Sequence, residues 1–208
     1  ITLNGIAKGA GMIRPNMATM LAYIATDANI EQTLLQASLQ QAVNKSFNRI
    51  TVDGDTSTND AVVLMATGKT GKPLQAESLF AFQSALEEVC VALARSIVRD
   101  GEGATKLINV VVDAGADENE CALVAYAIAH SPLVKTAFFA SDPNWGRILA
   151  AVGYAGLPGL DIEAIEIWLD DVCIVKHGGR ASSYTEEQGR AVMQQNEITI
   201  RVVLHRGQ

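Results

Sequence analysis

Apolar residues recur at helical spacing in two long stretches of the first half of the chain. Across residues 30–47 they return every three or four positions, which predicts a helix with Asp27 or Asn29 as its N-cap. A longer apolar stripe over residues 77–99 predicts a second helix, and Gly101 is placed to end it. The pattern therefore predicts two helices before residue 105.

The second half mixes helical and strand-like patterns. Asp117 and Glu120 have the spacing of a capping box and predict a helix that continues to residue 129. Residues 107–112 are β-branched and mostly apolar, as in a strand covered on both faces. The remaining predicted elements are strands at residues 137–140, 165–169 and 197–204 and a short amphipathic helix at residues 185–194. Helices and strands are interspersed and no Pro- or Ser-rich linker separates them, so we expect one layered α/β domain.

Composition narrows the functional classes. An apolar fraction of 49% over 208 residues can supply a buried core. No run of about 18 apolar residues occurs, and no basic stretch leads into an apolar one at the start, so neither a membrane span nor an intact secretory signal is predicted. A formal charge of -7 argues against nucleic-acid binding, which needs clustered basic residues. We therefore expect small-molecule partners.

Cysteine and histidine usage predicts neither disulfides nor metal sites. Cys90, Cys121 and Cys173 are far apart in sequence, as expected of buried thiols in a reducing compartment. The three histidines have no metal-ligand spacing among themselves. We expect a cytoplasmic protein without a metal or cofactor.

Four segments carry unusual residue combinations. Residues 8–21 read K-G-A-G-M-I-R-P-N-M-A-T-M-L, and by pattern alone they are a Gly-rich surface loop. The other three segments are T-V-D-G-D-T-S-T-N-D at residues 51–60, D-G-E-G-A-T-K at 100–106 and D-P-N-W-G-R at 142–147. Residues 51–60 lack the ligand order of a calcium loop, so we interpret them as a loop that supports the active site. Residues 142–147 could line a site, but a tight turn filled by the tryptophan is favoured.

In this order, the four segments resemble the bifunctional ornithine acetyltransferase/glutamate N-acetyltransferase family over essentially the whole chain. The chain corresponds to about the second half of such a precursor. The resemblance implies the layered α/β fold shared with N-terminal-nucleophile aminopeptidases. It also implies that residues 1–18 end an alpha segment and that residues 19–208 form a single catalytic beta segment, incomplete at its C-terminus.

The resemblance implies self-cleavage between Ala18 and Thr19. A threonine hydroxyl is a poor nucleophile unless a base removes its proton, and in N-terminal threonine enzymes the α-amine of the same residue is that base. Such an amine titrates at about 7.7 to 8.0, so part of it is neutral at cellular pH. Cleavage would thus create both the free nucleophile and its base.

The implied reaction moves an acetyl group from N2-acetylornithine to glutamate through acetyl-Thr19, in arginine biosynthesis. Some members of the family also use acetyl-CoA, and the sequence leaves this open. By position, Lys8, Thr19 and Glu102 match substrate-binding residues, with Lys8 expected to bind the α-carboxylate and Glu102 the δ-ammonium. Without the resemblance, Lys8 would be an ordinary surface lysine and Glu102 a solvated charge in a turn.

The resemblance also implies parts outside this sequence. The Thr-Gly oxyanion pair of the family belongs to the alpha segment, and further substrate residues belong to a C-terminal tail. We therefore expect a complementary alpha segment and a heterotetramer of two alpha and two beta segments. Two alternatives stay open: an N-terminal-nucleophile aminopeptidase or amidohydrolase, and a non-catalytic fragment that is never cleaved.

Overall fold

The computed structural model describes residues 1–9, 20–55 and 60–207, which form two compact units. The first unit is Ile1–Ala104 and the second begins at Thr105. Each unit combines helices with its own sheet and apolar core, which confirms the predicted layered α/β class. The boundary between the two units lies in a short helix-to-strand connection without linker composition, so the sequence carries no signal for it.

The described residues of the first unit form a three-stranded sheet and two α-helices. Its elements are β1 (Leu3–Lys8), β2 (Leu21–Thr26), α1 (Gln32–Asn44), β3 (Ala61–Ala66) and α2 (Ala76–Arg99). The sheet order is β1-β2-β3, with β1 antiparallel to β2 and β2 parallel to β3. None of these strands was predicted, because each has only six residues and their glycine and alanine content gives a weak strand signal.

The two helices of this unit run in the same direction. Gln83 Nε2 on α2 donates to the Ser38 carbonyl on α1 at 3.3 Å, and nearer the C-terminal ends of both helices the Nζ of Lys45, the C-cap residue of α1, lies 2.9 Å from Glu87 Oε2. Because α1 connects the parallel strands β2 and β3, it runs opposite to them, and α2 does the same. The C-terminus of α2 therefore lies at the end of the sheet where β1 ends and β2 and β3 begin.

Gly5 in β1 allows α2 to approach the sheet closely. A Cβ atom at this position would lie 2.9 Å from Leu93 Cδ1 and 3.2 Å from Val89 Cγ1 of α2, and 3.4 Å from Ile24 Cγ1 of β2. The space above Gly5 is thus filled by three apolar side chains. This contact fixes the position of α2 over β1.

The predicted helices of this unit are confirmed, but the cap of α1 is a different residue. The Glu31 carboxylate caps the helix by accepting from the Thr33 and Leu34 amides. Asp27 instead accepts from the Thr2 amide at 2.8 Å. At the other helix, Gly101 follows the C-cap of α2, and its amide donates back into the last turn.

The second unit has a five-stranded sheet and four helices. Its elements are β4 (Leu107–Asp113), α3 (Glu118–His130), α4 (Pro132–Phe139), α5 (Trp145–Gly153), β5 (Glu166–Leu169), β6 (Val172–Lys176), β7 (Gly179–Arg180), α6 (Glu186–Met193) and β8 (Glu197–Val203). The order is β4-β8-β5-β6-β7, and only β4 and β8 are parallel.

The strands predicted at residues 107–112, 165–169 and 197–204 are confirmed. However, β4 lies at an edge, and Val111 is 40% exposed rather than covered.

The strand predicted at residues 137–140 is wrong, because this segment belongs to helix α4. Ser131 caps the helix by accepting from the Val134 amide at 3.3 Å, and Pro132 occupies the first turn. Proline suits that position, since its fixed φ is helical and its missing N–H would have no intrahelical partner. The aromatic residues of the segment favoured a strand in the prediction, but the Ser131 cap and Pro132 stabilise a helix.

The capping box predicted for α3 is half formed. Asp117 accepts from the Glu120 amide at 2.8 Å, as predicted. The Glu120 carboxylate does not return to Asp117 but accepts from the Ala116 amide and from Arg206 Nε at 2.8 Å. The helix itself spans the predicted residues.

Within the described part of the chain, no single helix has both the length and the apolar composition to cross a membrane. The pair α3 and α4 meets both conditions only when the two are taken together, across a bend of 58°.

The packing at Gly5 generates the first prediction. Replacing Gly5 with valine should lower the free energy of unfolding by about 1–3 kcal/mol, because the added Cβ and its two methyl groups must displace Leu93 and Val89. Urea titration followed by circular dichroism measures the change. Asn4→Val is the matched control, since Asn4 is exposed. Equal unfolding midpoints for both variants and wild type would show that α2 does not pack on Gly5.

Candidate active site

The described residues of three of the four family-like segments meet at one end of the first unit. Strand register pairs Lys8 with Leu21 and Leu21 with Ala61, so the end of β1 and the starts of β2 and β3 are side by side. The C-terminus of α2 lies at this same end of the sheet. A Cβ atom on Gly101 would lie 3.4 Å from Val52 Cγ1, which brings the segments at 51–60 and 100–106 together.

The two charged residues matched to substrate binding both lie at this end and are exposed. Lys8 is the last residue of β1, and its Nζ is 3.4 Å from the Gly9 carbonyl oxygen. Glu102 lies in the turn after α2, next to Gly103, whose φ of +71° favours glycine. Exposure leaves both side chains accessible to a ligand, and it also suits the ordinary surface roles that the sequence alone allowed.

The predicted cleavage pair, Ala18 and Thr19, lies outside the described residues. So do the rest of residues 10–19, residues 56–59 and residue 208. The proposed nucleophile therefore stays a prediction. The described residue bonded directly to it is Met20.

Met20 is held at both of its backbone polar groups. Its amide donates to Asp60 Oδ1 at 2.6 Å, and its carbonyl oxygen accepts from the Ala61 amide at 3.0 Å. Its side chain belongs to the core of the first unit, and the residue is only 5% exposed. The residue after Thr19 is thus anchored by hydrogen bonds and by burial.

Asp60 was not singled out by the sequence analysis, which predicted only a supporting loop. It is partly buried, and loss of hydration raises the pKa of its carboxyl group, while the hydrogen bond from the Met20 amide acts in the opposite direction. The Met20 N–H is already engaged by this carboxylate. It is therefore not a free donor for an oxyanion, although the amide after a nucleophile has that role in other hydrolytic folds.

The described residues give little support to a mechanism other than the one predicted for Thr19. No group of three or more His, Cys, Asp or Glu side chains among them is arranged to hold a metal ion. All three cysteines are free thiols. Cys90 is buried, and this burial raises its pKa to about 11, so it stays protonated and is a poor nucleophile.

The fourth segment, residues 142–147, lies in the second unit and forms the start of α5. Asn144 Oδ1 accepts from the Arg147 amide at 3.1 Å and caps the helix. The Arg147 guanidinium donates to the Leu133 carbonyl at 2.9 Å and to Thr136 Oγ1 at 3.1 Å. Trp145 packs against the core. These contacts support the interpretation that residues 142–147 have a structural role rather than lining a site.

Comparisons with known proteins agree on one family. The model of the ArgJ family matches residues 1–208. The chain is 59% identical to the arginine biosynthesis bifunctional protein ArgJ of Pseudomonas fluorescens and 62% identical to that of Methylococcus capsulatus, in each case over 100% of this chain and 52% of the relative. It thus spans about half the length of these curated relatives. The crystal structure of the arginine biosynthesis bifunctional protein ArgJ from Bacillus halodurans matches with a TM-score of 0.83 and 43% identity, covering 89% of this chain and 88% of that one.

Proposed function

The chain belongs to the ArgJ family, and we propose that it carries the catalytic beta segment of an acetyltransferase of arginine biosynthesis. Its fold is of the layered α/β type expected for that family, as the likeness to the Bacillus halodurans protein shows. The proposed reaction transfers an acetyl group from N2-acetylornithine to glutamate, in the cytoplasm.

One observation carries the proposal. Lys8, Met20 and the turn that holds Glu102 come from three separate segments, and the fold brings all three to one end of a single sheet. Met20 is the described residue that is covalently bonded to the proposed nucleophile, Thr19. A nucleophile, a cation and an anion in one place suit a substrate with a carboxylate at one end and an ammonium at the other.

Self-cleavage would prepare the nucleophile. The Thr19 hydroxyl attacks the Ala18 carbonyl carbon, its proton passes to the departing amide nitrogen, and an ester replaces the peptide bond. Water then hydrolyses the ester and releases the Ala18 carboxylate. Thr19 is left with a free hydroxyl and a free α-amine, which acts as its base.

Acetyl transfer would use the same oxygen twice. The Thr19 hydroxyl takes the acetyl group from N2-acetylornithine, and ornithine leaves with the proton that the α-amine removed. Glutamate then attacks the acetyl ester through its own amine and restores the threonine. This is a ping-pong cycle, and acetyl-CoA could supply the acetyl group in the first half.

Substrate orientation would come from the two exposed charges. We assign Lys8 to the α-carboxylate of N2-acetylornithine and Glu102 to its δ-ammonium. Charge-assisted hydrogen bonds of this kind are shorter and stronger than neutral ones, so the two contacts together can fix the acetyl group over Thr19.

A complementary alpha segment is part of the proposal. The sheet face opposite the helices of the first unit exposes five large apolar side chains, a pattern typical of a surface that another element covers. They are Ile6 at 71%, Leu21 at 36%, Tyr23 at 43%, Val63 at 37% and Met65 at 47%. The alpha segment would also bring the oxyanion donors, and two of each segment would form a heterotetramer.

The nucleophile assignment leads to the second prediction. In the complete precursor, Thr19→Ala should abolish both backbone cleavage and acetyl transfer, because one oxygen performs both reactions, and Thr19→Ser should retain part of each. Denaturing mass spectrometry measures the cleavage, and ornithine release measures the transfer. Normal cleavage of the alanine variant would rule out Thr19 as the attacking group.

The charge assignment leads to the third prediction. Glu102→Gln should raise KM for N2-acetylornithine by about tenfold or more and leave the rate of self-cleavage unchanged, because it removes the charge partner of the δ-ammonium only. Steady-state kinetics measures the change. Glu88→Gln is the control, since it makes the same charge change at an exposed position of α2. An unchanged KM in the Glu102 variant would show that this residue does not bind the substrate and is a solvated charge in a turn.

A further inference from the structure

The carboxylate of Asp60 binds the backbone directly after the proposed nucleophile. Asp60 Oδ1 is 2.6 Å from the Met20 nitrogen, although 40 positions separate the two residues in sequence. The next residue, Ala61, donates its amide to the Met20 carbonyl at 3.0 Å. Asp60, directly before β3, and Ala61, its first residue, therefore hold both backbone polar groups of Met20.

Several features distinguish this contact from an ordinary surface hydrogen bond. Met20 is buried, and Asp60 is partly buried, so the carboxylate has lost hydration while it accepts the hydrogen bond from the Met20 amide. A hydrogen bond to a carboxylate is stronger than one to a neutral acceptor, particularly where water is excluded. The carboxylate thus holds the Met20 amide at a position from which water is partly excluded.

Covalent geometry connects the contact to Thr19. The Met20 nitrogen is bonded to the Thr19 carbonyl carbon at about 1.33 Å, and the peptide unit between them is planar. Fixing this nitrogen therefore fixes the plane to which Thr19 is attached.

We propose that Asp60 is a positioning residue for the Thr19 nucleophile, acting through its hydrogen bond to the Met20 amide. The inference rests on the proposed function, because it gives the held peptide unit a catalytic purpose. Anchoring the backbone after Thr19 limits the motion of the hydroxyl and α-amine to rotations within Thr19 itself. The same anchor serves self-cleavage and acetyl transfer, since both reactions use the same oxygen.

The proposal predicts a specific kinetic signature. Loss of the anchor misplaces the attacking oxygen, and a displacement of about 1 Å can cost about 100-fold in rate. Substrate binding by Lys8 and Glu102 does not depend on this hydrogen bond. The effect should therefore fall on kcat and on the rate of self-cleavage, with little change in KM.

Three substitutions in the complete precursor separate position from charge. Asp60→Ala removes the acceptor. Asp60→Asn keeps an acceptor oxygen at the same distance along the side chain but removes the charge, and Asp60→Glu keeps the charge but moves it by one methylene. Asp27→Ala is the matched control, because Asp27 Oδ1 accepts from the Thr2 amide at 2.8 Å at the opposite end of the same sheet.

We expect Asp60→Ala to lower kcat and the cleavage rate by about 10- to 100-fold with KM nearly unchanged. Asp60→Asn should stay within about fivefold of wild type, Asp60→Glu should be slower than Asp60→Asn, and Asp27→Ala should match wild type. Circular dichroism and thermal melting confirm that each variant is folded. If Asp60→Ala does not fold, the order of the Asn and Glu variants decides the question.

Three results would overturn the inference. A folded Asp60→Ala variant with wild-type rates would show that the hydrogen bond has no role in catalysis. Wild-type activity in Asp60→Glu together with a large loss in Asp60→Asn would assign the effect to charge. A rise in KM at constant kcat would assign it to substrate binding. By contrast, a wild-type precursor that neither cleaves nor transfers acetyl would overturn the proposed function, and this inference with it.

Discussion

The candidate site depends on the hydrogen-bond register of the first sheet. Because Lys8 pairs with Leu21 and Leu21 pairs with Ala61, one strand ends where the other two begin. A shift of one residue in this register would move Met20 away from Asp60 and turn each strand's buried face outward. The parallel direction of α1 and α2 then brings the turn after α2, with Glu102, to the same end. The site is thus a consequence of backbone pairing before any side-chain chemistry acts.

The same register divides the sheet into two faces with different roles. Ala22 and Ile24 face the helices and are fully buried, whereas Tyr23 and Leu21 on the opposite face are exposed. The inner face holds α2 through the close approach at Gly5, and so it stabilises the end of the sheet where the site lies. The outer face is apolar and has the character of an interface, which supports the proposal that an alpha segment completes the enzyme.

Sequence patterns predicted the helices and strands whose signal lies within one continuous segment. They missed features that depend on contacts with other parts of the chain. The apolar stripe of α2 and the β-branched run of β4 are long enough to be recognised alone. The six-residue strands of the first sheet cannot be recognised alone, because a short alternation of apolar and polar residues forms a strand only when neighbouring strands pair with it. The helix α4 was taken for a strand because its aromatic residues outweighed the Ser131 cap. Lys8 and Glu102 were assigned by resemblance, and their roles stay predictions. The contact between Asp60 and Met20 was not predicted, since it joins residues 40 positions apart.

The central claim is that Thr19 carries the acetyl group between two substrates, and direct detection of that group tests it best. The processed protein is mixed with N2-acetylornithine, quenched in acid and analysed by mass spectrometry, with and without glutamate added before the quench. We expect one acetyl group on Thr19 that glutamate removes, since a ping-pong transferase must hold the group until the acceptor arrives. An adduct that decays equally fast without glutamate would instead indicate a hydrolase. A protein that turns over with no acetyl group on Thr19 would contradict the mechanism.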